Sequence, residues 1–216
     1  MIKILLPYAN IMKKFIKNII KTCFFSFKKV QYKSNNKNYK INFFGGQSMA
    51  DLIAFYSRRG QNYFDGEIKE VKKGNTEIVA EKLQEITGAE VFQIKQLVEY
   101  SDNYKICAEE AERDFNNNAR PELDEYLQEP EKYDTIYLAY PNYCNTMPMV
   151  VFTFLEEYGF EGKTIKPICT NGGSGLGTSV RDIKKLCPNS TVTKGLSIDS
   201  SEIEKAEDLL KEWLEK

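Results

Sequence analysis

Histidine is absent from all 216 residues. That excludes Ser-His-Asp and Cys-His catalysis, and every metal site that needs an imidazole. The five cysteines (Cys23, Cys107, Cys144, Cys169 and Cys187) are an odd number with no CxxC spacing, so neither a disulfide framework nor a zinc site is indicated. A reducing cytoplasm is the expected setting. No run of eighteen apolar residues exists, and in the most apolar segment Lys13, Lys14, Lys17 and Lys21 interrupt any membrane span. Neither GxxxxGK[ST] nor GxGxxG occurs, which disfavours nucleotide hydrolysis and ordinary dinucleotide binding.

Acidic residues are missing from one part of the chain. Residues 1–48 hold ten lysines and no Asp, Glu or Arg, which leaves 20 basic and 31 acidic residues from Met49 onward. A net near −1 for the whole chain therefore hides a basic extension on an acidic body. The acidic body argues against nucleic acid, whose phosphates demand a basic surface. The extension shows no small-residue cleavage site of the kind a signal peptide needs. Three readings of it stand. Ile11, Met12, Phe15, Ile16, Ile19, Ile20 and Cys23 share one helical face, as an interfacial helix touching a membrane would require. Gly45-Gly46, separated from Met49 by two residues, is what an in-frame purine-rich ribosome-binding site would translate to, which would make Met49 the first native residue. The third reading is an unstructured tail. The expected organisation is thus an extension over 1–48 outside the fold, and one domain over 49–216.

From Met49 the pattern is orderly. Apolar runs at Leu52–Tyr56, Ala89–Ile94, Asp134–Tyr140, Thr164–Cys169 and Thr191–Ile198 read as strands. Between them lie helical patterns: Gly74-Asn75-Thr76 opens one that Gly88 stops, and Pro148 opens one that Gly159 stops. Tyr104, Cys107, Ala108, Ala111 and Phe115 give a third its apolar stripe, and Thr178–Cys187 is a fourth. The last is expected to start at Ser201, with Glu204 completing a capping box. Residues 61–73 read as a polar connection. Five strands alternating with helices predict a doubly wound α/β parallel sheet, with the loops after strands one, three and four meeting at one edge.

Those three loops carry the chemistry. Ser57 and Thr76 offer hydroxyls, and Gly74, Asn75 and Thr76 offer N–H groups at a helix start, where an anion is favoured. Tyr140-Pro141-Asn142-Tyr143-Cys144-Asn145-Thr146-Met147-Pro148 holds an aromatic ring that can lie against a conjugated ligand. Thr170-Asn171-Gly172-Gly173-Ser174-Gly175-Leu176-Gly177 joins a strand to a helix with four glycines, which lets a ligand approach the backbone closely. Each loop also has a purely structural reading, as a helix cap, a core plug or a flexible turn.

In this order the pieces resemble the flavodoxin family, in particular a short-chain branch common in anaerobic bacteria. The resemblance extends over Leu52–Leu214 and implies strand order 2-1-3-4-5. The family binds the FMN phosphate at a Ser-x-Thr-Gly-Asn-Thr turn, which looks here split by residues 61–73 into Ser57-Arg58-Arg59-Gly60 and Gly74-Asn75-Thr76. Tyr140–Pro148 is similar to Tyr-Pro-x-Trp-Trp-Gly-Thr-Met-Pro, and Thr170–Gly177 to Thr-His-Gly-Gly-Ser-Gly-Leu-Gly. The resemblance implies FMN as cofactor. Ser57, Arg59, Gly74, Asn75 and Thr76 are then expected on the phosphate. Pro141, Asn142, Tyr143, Cys144, Asn145 and Thr146 are expected on one side of the ring. Thr170, Asn171, Gly172, Gly173, Ser174 and Gly175 are expected on its other edge.

Four departures matter: Tyr143 stands for tryptophan, Cys144 for a second aromatic, Asn145 for glycine and Asn171 for histidine. Cys144 reads either as a redox-sensitive thiol or as a small filler of the missing tryptophan's space. Asn171 is expected to offer its amide where the branch offers imidazole. The implied function is a low-potential electron carrier for redox proteins with basic surfaces. The alternative is an NAD(P)H-dependent FMN or quinone oxidoreductase, with residues 61–73 and 97–120 walling a pocket beside the ring and Arg58 or Arg120 gripping an anionic substrate.

Overall fold

The computed structural model describes residues 30–34, 37–41, 50–64 and 66–216. The chain divides into two compact units, Met1–Ser48 and Met49–Lys216. In the first, β1 (Val30–Ser34) and β2 (Lys37–Ile41) form an antiparallel hairpin. The interfacial-helix expectation at residues 11–23 lies outside the described residues.

The second unit is built on parallel strands that are apolar on both faces. β3 (Ala50–Phe55) pairs with β6 (Glu90–Gln93) on one side and β7 (Tyr133–Pro141) on the other. β7 pairs with β8 (Thr164–Asn171), and β8 with β10 (Leu196–Asp199). The order β10-β8-β7-β3-β6 is the expected 2-1-3-4-5 read from the other edge. Side chains alternate between faces, so each strand feeds two cores. Leu52, Ala54, Ile136, Leu138 and Tyr140 pack on α3 (Met149–Tyr158) and α4 (Ser179–Leu186) through Val151, Phe154, Leu155 and Ile183. Ile53, Phe55, Tyr137 and Ala139 pack on α1 (Asn75–Thr87) and α5 (Ala206–Leu214) through Val79, Leu83, Ala206 and Leu210. Each fully buried aliphatic side chain contributes about 1.5–3 kcal/mol. The expected stops are present: Gly88 and Gly159 end α1 and α3 in the left-handed region, at φ 70° and 60°.

Three expectations need correction. Residues 61–73 are a second antiparallel hairpin, β4 (Gly60–Phe64) with β5 (Glu67–Val71), turned at Gly66, whose φ of 94° suits glycine. Its second strand is almost wholly exposed, so no buried face marked it in the sequence. The fifth strand is broken. β9 (Thr191–Val192) pairs with the start of β8 and β10 with its end, and Gly195 (φ 82°) turns between them. A Cβ there would press on the Leu176 side chain and the Pro167 carbonyl, both at 3.3 Å. The last helix is capped by Asp199, whose carboxylate accepts from the Ser201 N–H at 3.0 Å and its hydroxyl at 2.7 Å. A 3-10 turn over Ser200–Lys205 then leads into α5. Glu204 plays no capping part, because Asp199 already holds the first donor.

α2 (Tyr104–Asn116) is the remaining helix, capped by the Asn103 side chain, which accepts from the Lys105 and Ile106 N–H groups. It buries only Cys107 and Ala111. Its apolar stripe faces a cleft more than a core. Among the described residues no helix is long and apolar enough to cross a membrane.

Candidate functional site

The parallel register brings the carboxyl ends of β3, β7 and β8 side by side, with Phe55 opposite Ala139 and Pro141 opposite Thr170. The three loops leaving these ends bound a cleft of about 270 Å³. Ser57, Gly74, Asn75, Thr76, Pro141, Asn142, Tyr143, Cys144, Thr170, Asn171 and Gly172 all line it.

One end of the cleft is the start of α1. Ser57 Oγ accepts from the Glu77 N–H at 3.1 Å, and Ile78 N–H bonds to the Gly74 carbonyl at 3.2 Å. The Asn75 and Thr76 N–H groups are left without a partner among the described residues, at the positive end of the helix dipole. Gly74 is required there for space. A Cβ would lie 2.4 Å from the Arg58 carbonyl and 2.5 Å from Ser57 Oγ, so only glycine lets the two halves of the split turn meet. Thr76 and Thr170 share a buried hydroxyl hydrogen bond of 2.7 Å that ties α1 to β8.

Arg59 does not join this end. Its guanidinium grips the Glu77 carboxylate with contacts of 3.0 and 3.3 Å, outside the cleft lining. Arg58 lines the cleft instead. It is held by carbonyls, donating to Gln61, and at 2.7 Å to both Ser101 and Asp102. Among the described residues, Arg58 is the one charged residue in the lining.

The middle of the cleft is the turn Tyr143–Thr146. Tyr143 and Thr146 exchange backbone hydrogen bonds of 3.1 and 2.9 Å, and Cys144 and Asn145 have φ of 50° and 61°. This is a type I′ turn, in which Asn is at home and Cys is strained. Cys144 is exposed, so it does not fill the space of a missing tryptophan. Partial desolvation, then the Glu112 carboxylate, pushes its thiol above the ordinary value, which opposes reactivity as a thiolate. Tyr143 points its ring into the protein, edge-on to Tyr56 at 6.2 Å and 78°, with its hydroxyl 3.9 Å from Cys107 Sγ. Burial raises the Tyr143 phenol well above its ordinary pKa and keeps it neutral.

Asn145 and Thr146 serve the base of the turn, away from the cleft. The Asn145 carbonyl accepts from the Thr178 N–H at 2.8 Å. Thr146 and Thr178 hydroxyls both donate to Asp182, at 3.0 and 2.6 Å. Burial alone would raise the Asp182 carboxyl. The bonds from Thr178, Thr146 and Arg181 outweigh it and hold the group below the usual range.

The glycine loop closes the far side. Asn171 Oδ1 accepts from the N–H groups of Gly173 and Gly175 at 3.0 and 2.9 Å. Its Nδ2 donates to Ser197 Oγ at 2.9 Å. The amide expected to meet a ligand is thus spent on shaping the loop. Asn142 Nδ2 fastens that loop to the ring turn through the Gly175 carbonyl at 2.9 Å. Gly173, Ser174 and Gly175 stand outside the lining.

The remaining wall comes from the two segments, 61–73 and 97–120, expected to wall a substrate pocket beside the ring. Asn62, Tyr63 and Phe64 of β4 and Tyr104, Cys107, Ala108 and Ala111 of α2 complete the cleft, with Ser200 at its edge. The sequence pointed to these segments, and the structure decides which of their side chains line the cleft.

A sequence profile of the flavodoxin family matches residues 70–216. The chain belongs to the flavodoxin family. No curated protein sequence matches it. Among solved structures, this flavodoxin-family chain is similar to a candidate flavoprotein of Bacteroides uniformis, at 23% identity over 77% of this chain and 98% of that one, TM-score 0.62. A second, from Bacteroides eggerthii, has 24% identity over 75% and 98%, TM-score 0.58. A Lactobacillus acidophilus flavoprotein solved in complex with FMN has 20% identity over 73% and 98%, TM-score 0.54. At these identities the likeness is one of fold.

Proposed function

We propose that the cleft binds FMN and that the chain transfers electrons between other redox proteins. The observation that carries this reading is the unpaired Asn75 and Thr76 N–H pair at the α1 N-terminus, opening into the same cleft as the ring turn. The residues present fit the cofactor. Two free donors, the Ser57 hydroxyl and the close backbone approach at Gly74 make an anion cradle of phosphate character without a lysine. Pro141 to Cys144 and the Asn171-Gly172 backbone offer flat, uncharged surfaces for a conjugated ring. FMN supplies the redox chemistry when bound. The chain's residues hold the phosphate, orient the ring and exclude water.

The charge balance from Met49 onward, 20 basic against 31 acidic residues, works in the same direction. A negative field disfavours added negative charge on a bound cofactor, which lowers its potential, and draws partners with basic surfaces. The four described cysteines are free, which suits a reducing cytoplasm. The reductase alternative loses both of its candidate grips for an anionic substrate. Arg58 is occupied by three carbonyls, and Arg120 pairs with Glu156 at 2.7 and 2.8 Å outside the cleft lining.

Two measurements test the reading. Purified protein, with FMN added if colourless, is expected to show a bound-flavin spectrum. NADH or NADPH is expected to leave that spectrum unbleached on a catalytic timescale; rapid bleaching would establish the reductase instead.

A further inference from the structure

The inserted hairpin interrupts the phosphate turn between Ser57 and Gly74, yet it is not a free loop. Its base is clamped to the start of α2. Arg58 bonds the Gln61, Ser101 and Asp102 carbonyls, and the Tyr104 N–H donates to Gln61 Oε1 at 3.1 Å. On this frame Tyr63 and Tyr104 stack, with centroids 6.0 Å apart and planes 23° apart. Both rings line the cleft, and Tyr63 is 50% exposed. An aromatic ring held in place with half its surface in water has area left to bury.

The opposite wall lacks such a ring. Tyr143 lines the cleft but turns its side chain inward against Tyr56 and Cys107. Cys144 and Asn145 have no aromatic surface, and Asn171 has no amide group to spare. The hairpin and α2 thus carry the cleft's stacked ring pair.

We infer that the Tyr63–Tyr104 pair is a ligand-contacting surface, which takes the flat ring of the cofactor on the side away from the ring turn. The inference rests on the FMN reading above and adds a residue pair to it. The hairpin then has two jobs: it splits the phosphate turn without opening it, because Gly74 restores the contact, and it carries an aromatic wall over the cleft. Stacking on Tyr104 fixes the tilt of Tyr63, and the Arg58 clamp keeps the two elements in step.

The test is FMN titration of the full chain, following affinity and flavin emission together. Tyr63→Ala is expected to weaken FMN by about tenfold and to raise the emission of the bound flavin, since a stacked tyrosine quenches it. Tyr104→Ala is expected to act in the same direction, and Tyr63→Phe to keep wild-type affinity. Tyr126→Ala, equally exposed at 48% and outside the lining, should change neither reading. If Tyr104→Ala does not fold, Tyr63→Ala on the exposed hairpin carries the test alone. FMN affinity within twofold of wild type and unchanged emission in Tyr63→Ala would overturn the aromatic wall while leaving the cofactor intact. A wild-type chain that takes up no FMN would overturn the cofactor reading and the wall with it.

Discussion

At the scale of single residues, the site depends on a few positions with no room to change. Gly74→Ala would drive a methyl group into the Arg58 carbonyl and Ser57 Oγ, neither of which can withdraw without opening the phosphate turn. We expect a loss of about 1–3 kcal/mol in stability by denaturant titration, and FMN binding weakened by more than tenfold. Asp182 is the second such position, since it gathers the hydroxyls of the ring turn and of α4. Asp182→Ala should cost about 1–3 kcal/mol at neutral pH by leaving the buried Thr146 hydroxyl unpaired. Its folded carboxyl is depressed below the ordinary 3.8, so its contribution is present in full above that value and is lost as pH falls through the lower folded value. Thermal melts from pH 6 to below 3.8 should therefore fall less steeply in Asp182→Ala than in wild type. Residue identity in the sequence pointed to Ser57, Gly74, Asn75, Thr76 and Tyr143 as members of the site. It could not assign their partners. Arg58 and Arg59 are adjacent and chemically identical, and only the fold decides which faces the cleft and which grips Glu77. Asn171 was legible as a polar replacement, but its partners lie on two elements, Gly173 and Gly175 in the glycine loop and Ser197 on β10.

At the scale of elements, the parallel strands and their helices were readable because each has a strong local pattern. Doubly buried strands are apolar throughout, and α1 and α3 end in glycine. The β4–β5 hairpin had no such pattern. Gln-Asn-Tyr-Phe and Glu-Ile-Lys-Glu-Val pair with one another, and that pairing is invisible to any reading of one segment at a time. The hairpin's attachment depends on Arg58, whose three acceptors lie as far away in sequence as Asp102. Arg58→Ala should loosen residues 60–71 as a unit. Hydrogen exchange of their amides is expected to accelerate by at least tenfold, with the amides of β7 and β8 unchanged. Arg58→Lys should rescue little of this, since an ammonium cannot reach three carbonyls arranged for a guanidinium fork.

At the scale of the whole molecule, the two units differ in charge and in kinship. The family profile covers 70–216, and the three related structures are each covered to 98% by about three quarters of this chain. We therefore expect a chain of residues 49–216 to fold, to bind FMN within twofold of the full chain and to melt within about two degrees of it. The proposal that residues 1–48 arise from upstream sequence adds a further expectation. Mass spectrometry of the protein from its native cell should find a mature N-terminus at or next to Met49 and no peptide from residues 10–40.

The sequence by itself determined the alternation of strand and helix, the parallel direction of the strands, and the three loops that had to meet. These follow from periodicity, caps and glycines, which act within a dozen residues. The tertiary structure alone decided how the cleft is walled and which polar groups remain free to meet a ligand. That outcome depends on hydrogen bonds joining residues 33 to 94 positions apart, such as Asn142 to Gly175, Arg58 to Asp102, and Thr76 to Thr170. A donor is available only after every nearer acceptor has been counted, and proximity of that kind exists only once the chain is folded.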